Sequence, residues 1–144
     1  RFGTLVHALL ADLPLDRGES DVIDRLASVH GRVLGATAEE IVSVTAVVQR
    51  VQAHPLFADA ARAQNNGRRC YREIPVTLRL DSGELLEGIV DLAFEVDDEM
   101  VVVDFKTDRE LRGSLEVYRR QVQIYAHAVA TATGRPARGV LMKI

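Results

Sequence analysis

Two short segments decide the fold of this chain: Gly-Ile-Val-Asp at 88–91 and Val-Val-Val-Asp-Phe-Lys at 101–106. Each runs through β-branched residues before it reaches an aspartate, a pattern typical of neighbouring, partly buried strands. Asp97-Asp98 lies between them and is a natural turn. We therefore predict a β-hairpin whose arms span 85–94 and 100–106.

The register of this hairpin brings two carboxylates together. Asp91 and Asp104 are equally far from the turn, so they face each other across the strands. Opposed residues have Cβ atoms roughly 4.5–5.5 Å apart, a range at which two carboxylates repel. A divalent cation removes this conflict, because Mg²⁺ prefers carboxylate oxygens. Lys106 lies on the same strand face as Asp104, so the three residues predict metal-assisted chemistry on a phosphate.

Simpler interpretations of these residues also exist. Asp91 and Asp104 could be solvated strand residues, although aspartate is depleted in strands and the neighbouring valines predict burial. Lys106 alone could be a surface lysine at a strand end. The hypothesis of a site rests on the three residues occurring together.

The remaining pattern predicts a mixed α/β fold in a single domain spanning 1–144. Apolar residues at helical spacing predict helices at 4–13, 21–34, 38–53, 55–61 and 114–133, with a loop at 15–19. Alternating apolar residues predict a strand at 70–80 before the hairpin, and another strand at 138–144 closes the chain. We expect a small mixed central sheet, in which three strands form an antiparallel meander flanked by helices.

Composition limits the class of protein. The 144 residues are 47% hydrophobic, enough for a core, and the net charge of −3 gives no global basic surface for nucleic acid. Arginines cluster locally at 68–72 and 109–120. The single cysteine, Cys70, excludes an internal disulfide and a four-cysteine zinc or iron–sulfur site within this chain.

Without a membrane-spanning apolar run or a signal-peptide pattern, we expect a cytoplasmic protein. The chain enters its first helix with almost no lead-in and stops in a strand, so we expect a domain excised from a longer protein.

Further residues on the predicted helices and strands are candidates for the same site. His7 is a lone histidine on a predicted helix, where a structural role is the commoner one. Glu73 on the first strand could bind a metal, support a metal ligand or face solvent, and Glu87 is better explained as a solvent-facing residue. Gln121 and Tyr125 share a helix face because they are four residues apart. Core packing is the competing explanation for Tyr125.

In chain order, the motifs form a recognisable series. They are Gly3-x-x-x-His7, Glu73, Gly88-Ile89-Val90-Asp91, Asp104-Phe105-Lys106-Thr107 and Gln121-x-x-x-Tyr125. This series resembles the PD-(D/E)XK nuclease superfamily. Within that superfamily it is similar to the RecB-type nuclease domain at the C-terminus of RecB- and AddA-like helicase–nucleases of the UvrD family.

The resemblance implies a restriction-endonuclease-like core and a role for each matching residue. It implies that Mg²⁺ or Mn²⁺ is bound by His7, Asp91, Asp104 and the backbone carbonyl of Phe105. Lys106 becomes the catalytic lysine, acting with the two aspartates. Gln121 and Tyr125 are expected near the catalytic face and the DNA, and Glu73 matches an acid that precedes the core in some members. Some relatives carry a four-cysteine iron–sulfur cluster, which this chain cannot form.

The function implied is hydrolysis of DNA phosphodiester bonds, leaving a 5′-phosphate and a 3′-hydroxyl. We expect an exonuclease domain in DNA double-strand break repair and recombination, acting on single-stranded DNA. Its partners would be a helicase region of the same polypeptide and a second helicase–nuclease subunit, with no membrane involved. No Walker A motif is present, so ATP-driven unwinding would belong to that helicase region. The arginines at 109, 112, 119 and 120 are expected to contact DNA phosphates.

Two alternatives stay open on the sequence alone. The chain could be a stand-alone or CRISPR-associated exonuclease of the same superfamily. It could also be a catalytically inactive DNA-binding or scaffold module that keeps the fold.

Overall fold

The predicted mixed α/β architecture is confirmed by a computed structural model that describes residues 1–16 and 20–144. Its contacts divide the chain into two compact units, Arg1–Arg62 with Ile144, and Ala63–Lys143. Part of the predicted loop at 15–19 lies outside the described residues, because 17–19 are not described. Within the described part of the chain, no helix is long and apolar enough to cross a membrane.

Four helices precede the first strand, close to the predicted positions. They are α1 (Phe2–Asp12), α2 (Ser20–Leu34), α3 (Ala38–Gln52) and α4 (Pro55–Asn65). Helices α1, α2 and α3 pack against one another. The apolar residues that predicted α1 are buried, namely Leu5, Val6, Leu9 and Leu10. Helix α4 continues four residues beyond the predicted end at 61, since Arg62 to Gln64 favour helix.

The start of α3 shows why a run of β-branched residues became a helix. The Glu40 backbone N–H donates to Thr37 Oγ1 at 3.2 Å, and the Thr37 N–H donates to Glu40 Oε2 at 2.8 Å. This capping box satisfies backbone donors that a helix start otherwise leaves unpaired. Val44, Val48 and Val51 then lie buried at helical spacing. Local capping and burial of one face together outweigh the strand preference of the valines.

The second unit contains a four-stranded mixed sheet. Its strands are β1 (Cys70–Arg79), β2 (Leu85–Val96), β3 (Glu99–Lys106) and β4 (Ala137–Lys143), adjacent in that order. The first three form the predicted antiparallel meander, and β4 pairs with β3 in parallel. Helices α5 (Asp108–Leu111) and α6 (Leu115–Thr133) connect β3 to β4. The short helix α5 was not predicted.

The turn between β2 and β3 has the predicted register. Asp97 and Asp98 have φ angles of 47° and 67°, and positive φ at both central residues defines the type I′ turn that two-residue hairpins favour. Leu92 pairs with Val103 and Phe94 with Val101. Aspartate tolerates this backbone region better than most residues, which makes Asp97-Asp98 a workable turn sequence.

Helix α6 covers one part of the sheet, where it packs against β1, β3 and β4. A buried cluster joins Met100 and Val102 of the sheet to Ala126 and Val129 of the helix. Burial of a valine or methionine side chain stabilises a fold by about 1.5–3 kcal/mol, so this cluster fixes the rotation of α6 against the sheet. Its fixed rotation determines which α6 side chains reach the aspartates.

Candidate active site

Asp91 lies where β2 separates from β3. The pairing of β2 with β3 runs from Val96 to Leu92, whereas the pairing of β2 with β1 continues to Leu85. Asp91 is therefore the first residue of β2 beyond the paired hairpin, at the position opposed to Asp104, as predicted. Asp91 Oδ2 accepts a hydrogen bond of 2.7 Å from the backbone N–H of Phe105. This contact ties the diverging strand to β3.

Asp104, which is buried, and Lys106, which is partly buried, form an ion pair on β3. Asp104 is 3% exposed, and Lys106 Nζ lies 2.7 Å from Asp104 Oδ2. The same ammonium group donates to the carbonyl oxygen of Phe105 at 3.3 Å. A buried carboxylate and a partly buried ammonium both lose hydration, so each depends on its charged neighbours. The predicted convergence of Asp91, Asp104 and Lys106 is present in the structure.

Opposing effects act on the Lys106 ammonium. Burial by itself lowers the pKa of Lys106, but the hydrogen bond and charge of Asp104, followed by the charges of Asp91 and Glu110, outweigh it. The pKa of Lys106 therefore lies above its ordinary value, and the side chain is positively charged at neutral pH. A protonated ammonium can donate hydrogen bonds to a negatively charged group, but it cannot accept a proton.

Glu110 owes its position to the short helix α5. Glu110 Oε2 accepts hydrogen bonds of 2.7 Å from both the N–H and the hydroxyl of Thr107. Thr107 and Glu110 form a capping box at the start of α5. The sequence signal was available, since a threonine three residues before a glutamate is the usual signature of such a cap. This capping box holds the Glu110 carboxylate where its charge acts on Lys106, as do those of Asp91 and Asp104.

Tyr118 of α6 also contacts the lysine. The Lys106 Nζ lies 4.9 Å from the centroid of the Tyr118 ring, within the range of a cation–π interaction. The sequence pattern predicted the helix at 114–133 and gave Tyr118 no role in the site. Its position three residues before Gln121 puts it on the same helical stripe, which was the available signal.

Gln121 and Tyr125 lie together beside β2. Gln121 Nε2 donates to the Tyr125 hydroxyl at 3.1 Å. A Cβ atom at Gly88 would overlap that hydroxyl, so only glycine lets the ring approach β2 so closely. Burial, then the negative charge of Asp104, raises the pKa of Tyr125. Tyr125 also packs against the buried cluster, so it serves the core and borders the site at once.

Glu73 is the acid that the structure brings to Asp91. In the β1–β2 register it occupies the position opposed to Asp91, between the pairs Arg72–Leu92 and Ile74–Val90. Its φ angle of 48° is unfavourable for a residue with a side chain, at a cost of about 1–3 kcal/mol. A carboxylate oxygen of Glu73 lies within 4.8 Å of one of Asp91. Strained backbone of this kind is common at functional sites.

The oxygen atoms in this part of the second unit suit a hard divalent cation. Asp91 and Glu73 approach each other closely enough to share an ion. Asp91 also accepts the hydrogen bond from the Phe105 N–H, and Asp104 directly precedes Phe105 on β3. Carboxylate and carbonyl oxygens are the ligands that Mg²⁺ and Mn²⁺ accept. His7 is partly buried on α1 in the first unit, and its role as a ligand stays a prediction.

The arginines expected to contact phosphate have different environments. Arg119 forms an exposed ion pair of 2.9 Å with Glu116 on the same helix. Arg109, Arg112 and Arg120 are exposed. In the other arginine cluster, Arg69 lies 3.2 Å from the carboxylate of Glu95, a buried residue near the hairpin turn. Arg69 therefore has a structural partner, which the sequence analysis missed.

Comparisons with known proteins show which family this chain belongs to. The family model of the PD-(D/E)XK nuclease superfamily matches residues 1–144. Among curated proteins, the chain is 25% identical over 155 residues to an ATP-dependent helicase/nuclease subunit from Alkaliphilus oremlandii, covering 94% of this chain and 13% of that protein. It is 28% identical over 159 residues to the protein of the same name from Pediococcus pentosaceus, with 93% and 12% covered.

The protein of that name from Bacillus licheniformis is 28% identical over 167 residues, with 95% of this chain and 13% of the relative covered. The chain thus spans about one eighth of the length of the curated relatives it matches. Since the family model covers the chain from end to end, this chain belongs to the PD-(D/E)XK nuclease superfamily.

Proposed function

We propose that this chain is a Mg²⁺- or Mn²⁺-dependent deoxyribonuclease domain that hydrolyses DNA phosphodiester bonds. The observation that carries the proposal is the convergence of Asp91, Asp104 and the protonated Lys106 where β2 separates from β3. Removing charged groups from water costs free energy, and clusters of such groups with shifted pKa values are common at functional sites. Membership of a nuclease superfamily supplies the reaction class.

In this proposal, the cation is held by Asp91, Asp104 and the Phe105 carbonyl, with His7 as a further ligand. Glu73 binds the cation directly or orients the groups that bind it, since the Glu73 carboxylate lies close to that of Asp91. The support for His7 is the Gly3-x-x-x-His7 motif. A bound Mg²⁺ supplies a Lewis acid that polarises a phosphoryl oxygen and lowers the pKa of water.

The side chains of this chain then have defined roles. Water attacks the phosphorus and the bond from phosphorus to the 3′ oxygen breaks, which leaves a 5′-phosphate and a 3′-hydroxyl. Lys106 donates hydrogen bonds to the phosphoryl oxygens as they gain negative charge. Tyr118 holds the ammonium from one side, and Asp104 holds it from another. Gln121 and Tyr125 border the position of the DNA strand.

The biological setting is also a proposal. The relatives are named as subunits of ATP-dependent helicase/nucleases, and the chain matches about one eighth of their length. We propose that residues 1–144 make one nuclease domain of such a protein, in the cytoplasm. Its helicase region would deliver single-stranded DNA, with a second subunit taking part. Exonucleolytic processing of double-strand breaks in repair and recombination is the role that fits this setting.

The two lysines of the chain provide a test with a built-in control. Lys143 is the register partner of Lys106 on β4, but it is exposed and pairs with Asp108 at 2.7 Å. We expect end-labelled single-stranded DNA to be cleaved with Mg²⁺ or Mn²⁺ and to stay intact with EDTA. Lys106→Ala should abolish cleavage, and Lys143→Ala should keep the wild-type rate.

Equal loss of activity in both lysine variants would contradict the proposed role of Lys106. If the wild type binds DNA but cleaves with neither metal, the inactive DNA-binding module becomes the better interpretation.

A further inference from the structure

A groove of about 360 Å³ lies between the first half of β2 and helix α6. Its apolar wall is formed by Leu86 of β2 with Val117 and Ile124 of α6. Gln121 and Tyr125 line the same groove and are joined by a hydrogen bond of 3.1 Å. Tyr125 lies within electrostatic range of Asp104, Lys106 and Asp91, so a molecule that fills the groove lies beside a residue that borders the candidate active site.

The charges around the groove discriminate between parts of a nucleotide. Glu87 and Glu116 line it; Glu116 is paired with Arg119 at 2.9 Å, which leaves the carboxylate of Glu87 to repel a phosphate. A neutral, flat base meets no such repulsion, and carboxylates accept hydrogen bonds from its amino groups. Arg120 lines the same groove and makes no ion pair with any residue that the structure describes, so it is available for an adjoining phosphate.

The size and the wall of the groove agree with such an occupant. Protein sites for small ligands are clefts of about 300–1,000 Å³, mostly apolar and with a few polar groups. Val117 is 66% exposed, so part of the apolar wall faces solvent in the free protein. Bases bind to apolar and aromatic walls without sequence readout, because every base has a flat apolar face.

We propose that this groove receives an unpaired base of the DNA strand next to the phosphate that is cut. The proposal rests on the proposed nuclease function and extends it to the form of the substrate. A base can enter the groove only when it is unpaired. The groove therefore favours single-stranded DNA, because it contacts an unpaired base of the DNA as well as the DNA backbone.

The test compares two fluorescent oligomers of equal length, one of normal deoxynucleotides and one of abasic sugar-phosphate units. Their affinities for the 144-residue chain are measured by fluorescence anisotropy in EDTA, where no cleavage occurs. We expect wild type to prefer the normal oligomer by about tenfold, the effect of one base contact.

Val117→Gln should reduce that preference to about threefold or less, since it makes the wall polar without adding charge. Ile124→Ala is a second variant that shortens the same wall. The matched control is Val42→Gln, because Val42 is 70% exposed on helix α3 and lies outside the groove. The control should keep the full preference, and thermal melting of each variant verifies its fold.

Equal affinity of wild type for both oligomers would overturn the proposal, as would an undiminished preference in both groove variants. In the second case an apolar protein segment becomes the better occupant. Cleavage of normal DNA by the same preparations with Mn²⁺ separates this outcome from failure of the nuclease function. A base preference without cleavage would support the base-binding groove and contradict the nuclease function. Cleavage without a base preference would support the nuclease function and contradict the base-binding groove.

Discussion

A buried acid lies near each end of the β2–β3 hairpin, and the charges around the two acids differ. Near the turn, Glu95 is 7% exposed and lies 3.2 Å from Arg69 and 3.5 Å from Arg135. At the other end, Asp104 is 3% exposed and lies 2.7 Å from Lys106. Two cations thus face one acid near the turn, whereas Lys106 faces the carboxylates of Asp104, Asp91 and Glu110.

We expect this difference to separate a structural acid, Glu95, from a catalytic one, Asp104. Arg135 also pairs with Asp98 at 2.8 Å, so the charges near the turn join β2, the turn and the segment before β4. Breaking such a buried network destabilises a protein. The opposite end gathers negative charge around a single ammonium, an arrangement suited to a divalent cation and a phosphate. We expect substitutions at the two ends to affect different properties.

The largest expected effect is on cleavage by Asp104→Asn. This change keeps the shape of the side chain and removes the charge that holds both the cation and Lys106, so the cleavage rate should fall roughly a hundredfold or more. The matched change Glu95→Gln should leave the rate within about twofold of wild type. The measurement is the initial rate on labelled single-stranded DNA with Mn²⁺, and equal losses in the two variants would remove the distinction between the ends.

The next effect concerns stability, where we expect Glu95→Gln to have the larger effect and Asp104→Asn the smaller one. Glu95→Gln leaves Arg69 and Arg135 without their shared carboxylate, so the free energy of unfolding should fall by about 1–3 kcal/mol. The full effect of a buried pair is larger, but these arginine side chains are 40% and 32% exposed. Urea unfolding in EDTA measures it. A Glu95→Gln variant as stable as wild type would show that the charges near the turn contribute little.

A smaller effect on cleavage is expected from Tyr118. Tyr118→Leu removes the ring beside Lys106, and the loss of about 1 kcal/mol of cation–π interaction should lower kcat roughly fivefold with KM unchanged. Tyr118→Phe keeps the ring and should restore the rate. If both variants lose activity equally, the hydroxyl or the packing of Tyr118 matters, and the cation–π contact does not.

The smallest expected effect is a stability change at alkaline pH. The folded pKa of Lys106 lies above its unfolded value, so its charged contacts stabilise the fold fully below the unfolded pKa. That contribution is lost as pH rises through the folded pKa, which lies above the ordinary 10.5. Unfolding free energies measured from about pH 9 to about pH 11.5 should fall less steeply in Lys106→Met than in wild type. Parallel pH profiles would show that the pKa of Lys106 is not raised.

The hairpin and its aspartates were predictable because they depend on local pattern. A turn sequence and strand alternation set the register, so the opposed positions of Asp91 and Asp104 followed from distance to the turn. The start of α3, where Thr37 and Glu40 form a capping box, is likewise set by residues close in sequence. These features involve residues close in sequence, where periodicity and capping determine the outcome.

The rest of the site depends on packing that a sequence pattern does not give. Tyr118 reaches Lys106 because the buried cluster fixes the rotation of α6, and periodicity could not distinguish that role from core packing. Arg69 belonged to a basic cluster in sequence, but its partner Glu95 lies on another strand. The left-handed backbone at Glu73 had no signal, since neither glycine nor asparagine marks it.

The most direct test of the central claim is thermal melting of wild type and Asp91→Asn, each in EDTA and over a range of Mn²⁺ concentrations. A cation that binds the folded state raises the melting temperature by mass action, with about 2.7 kcal/mol gained at a hundred times the dissociation constant. We predict a concentration-dependent rise for wild type and a much smaller rise for Asp91→Asn, which should remain folded. No rise in wild type, or an equal rise in both proteins, would contradict a metal site at Asp91.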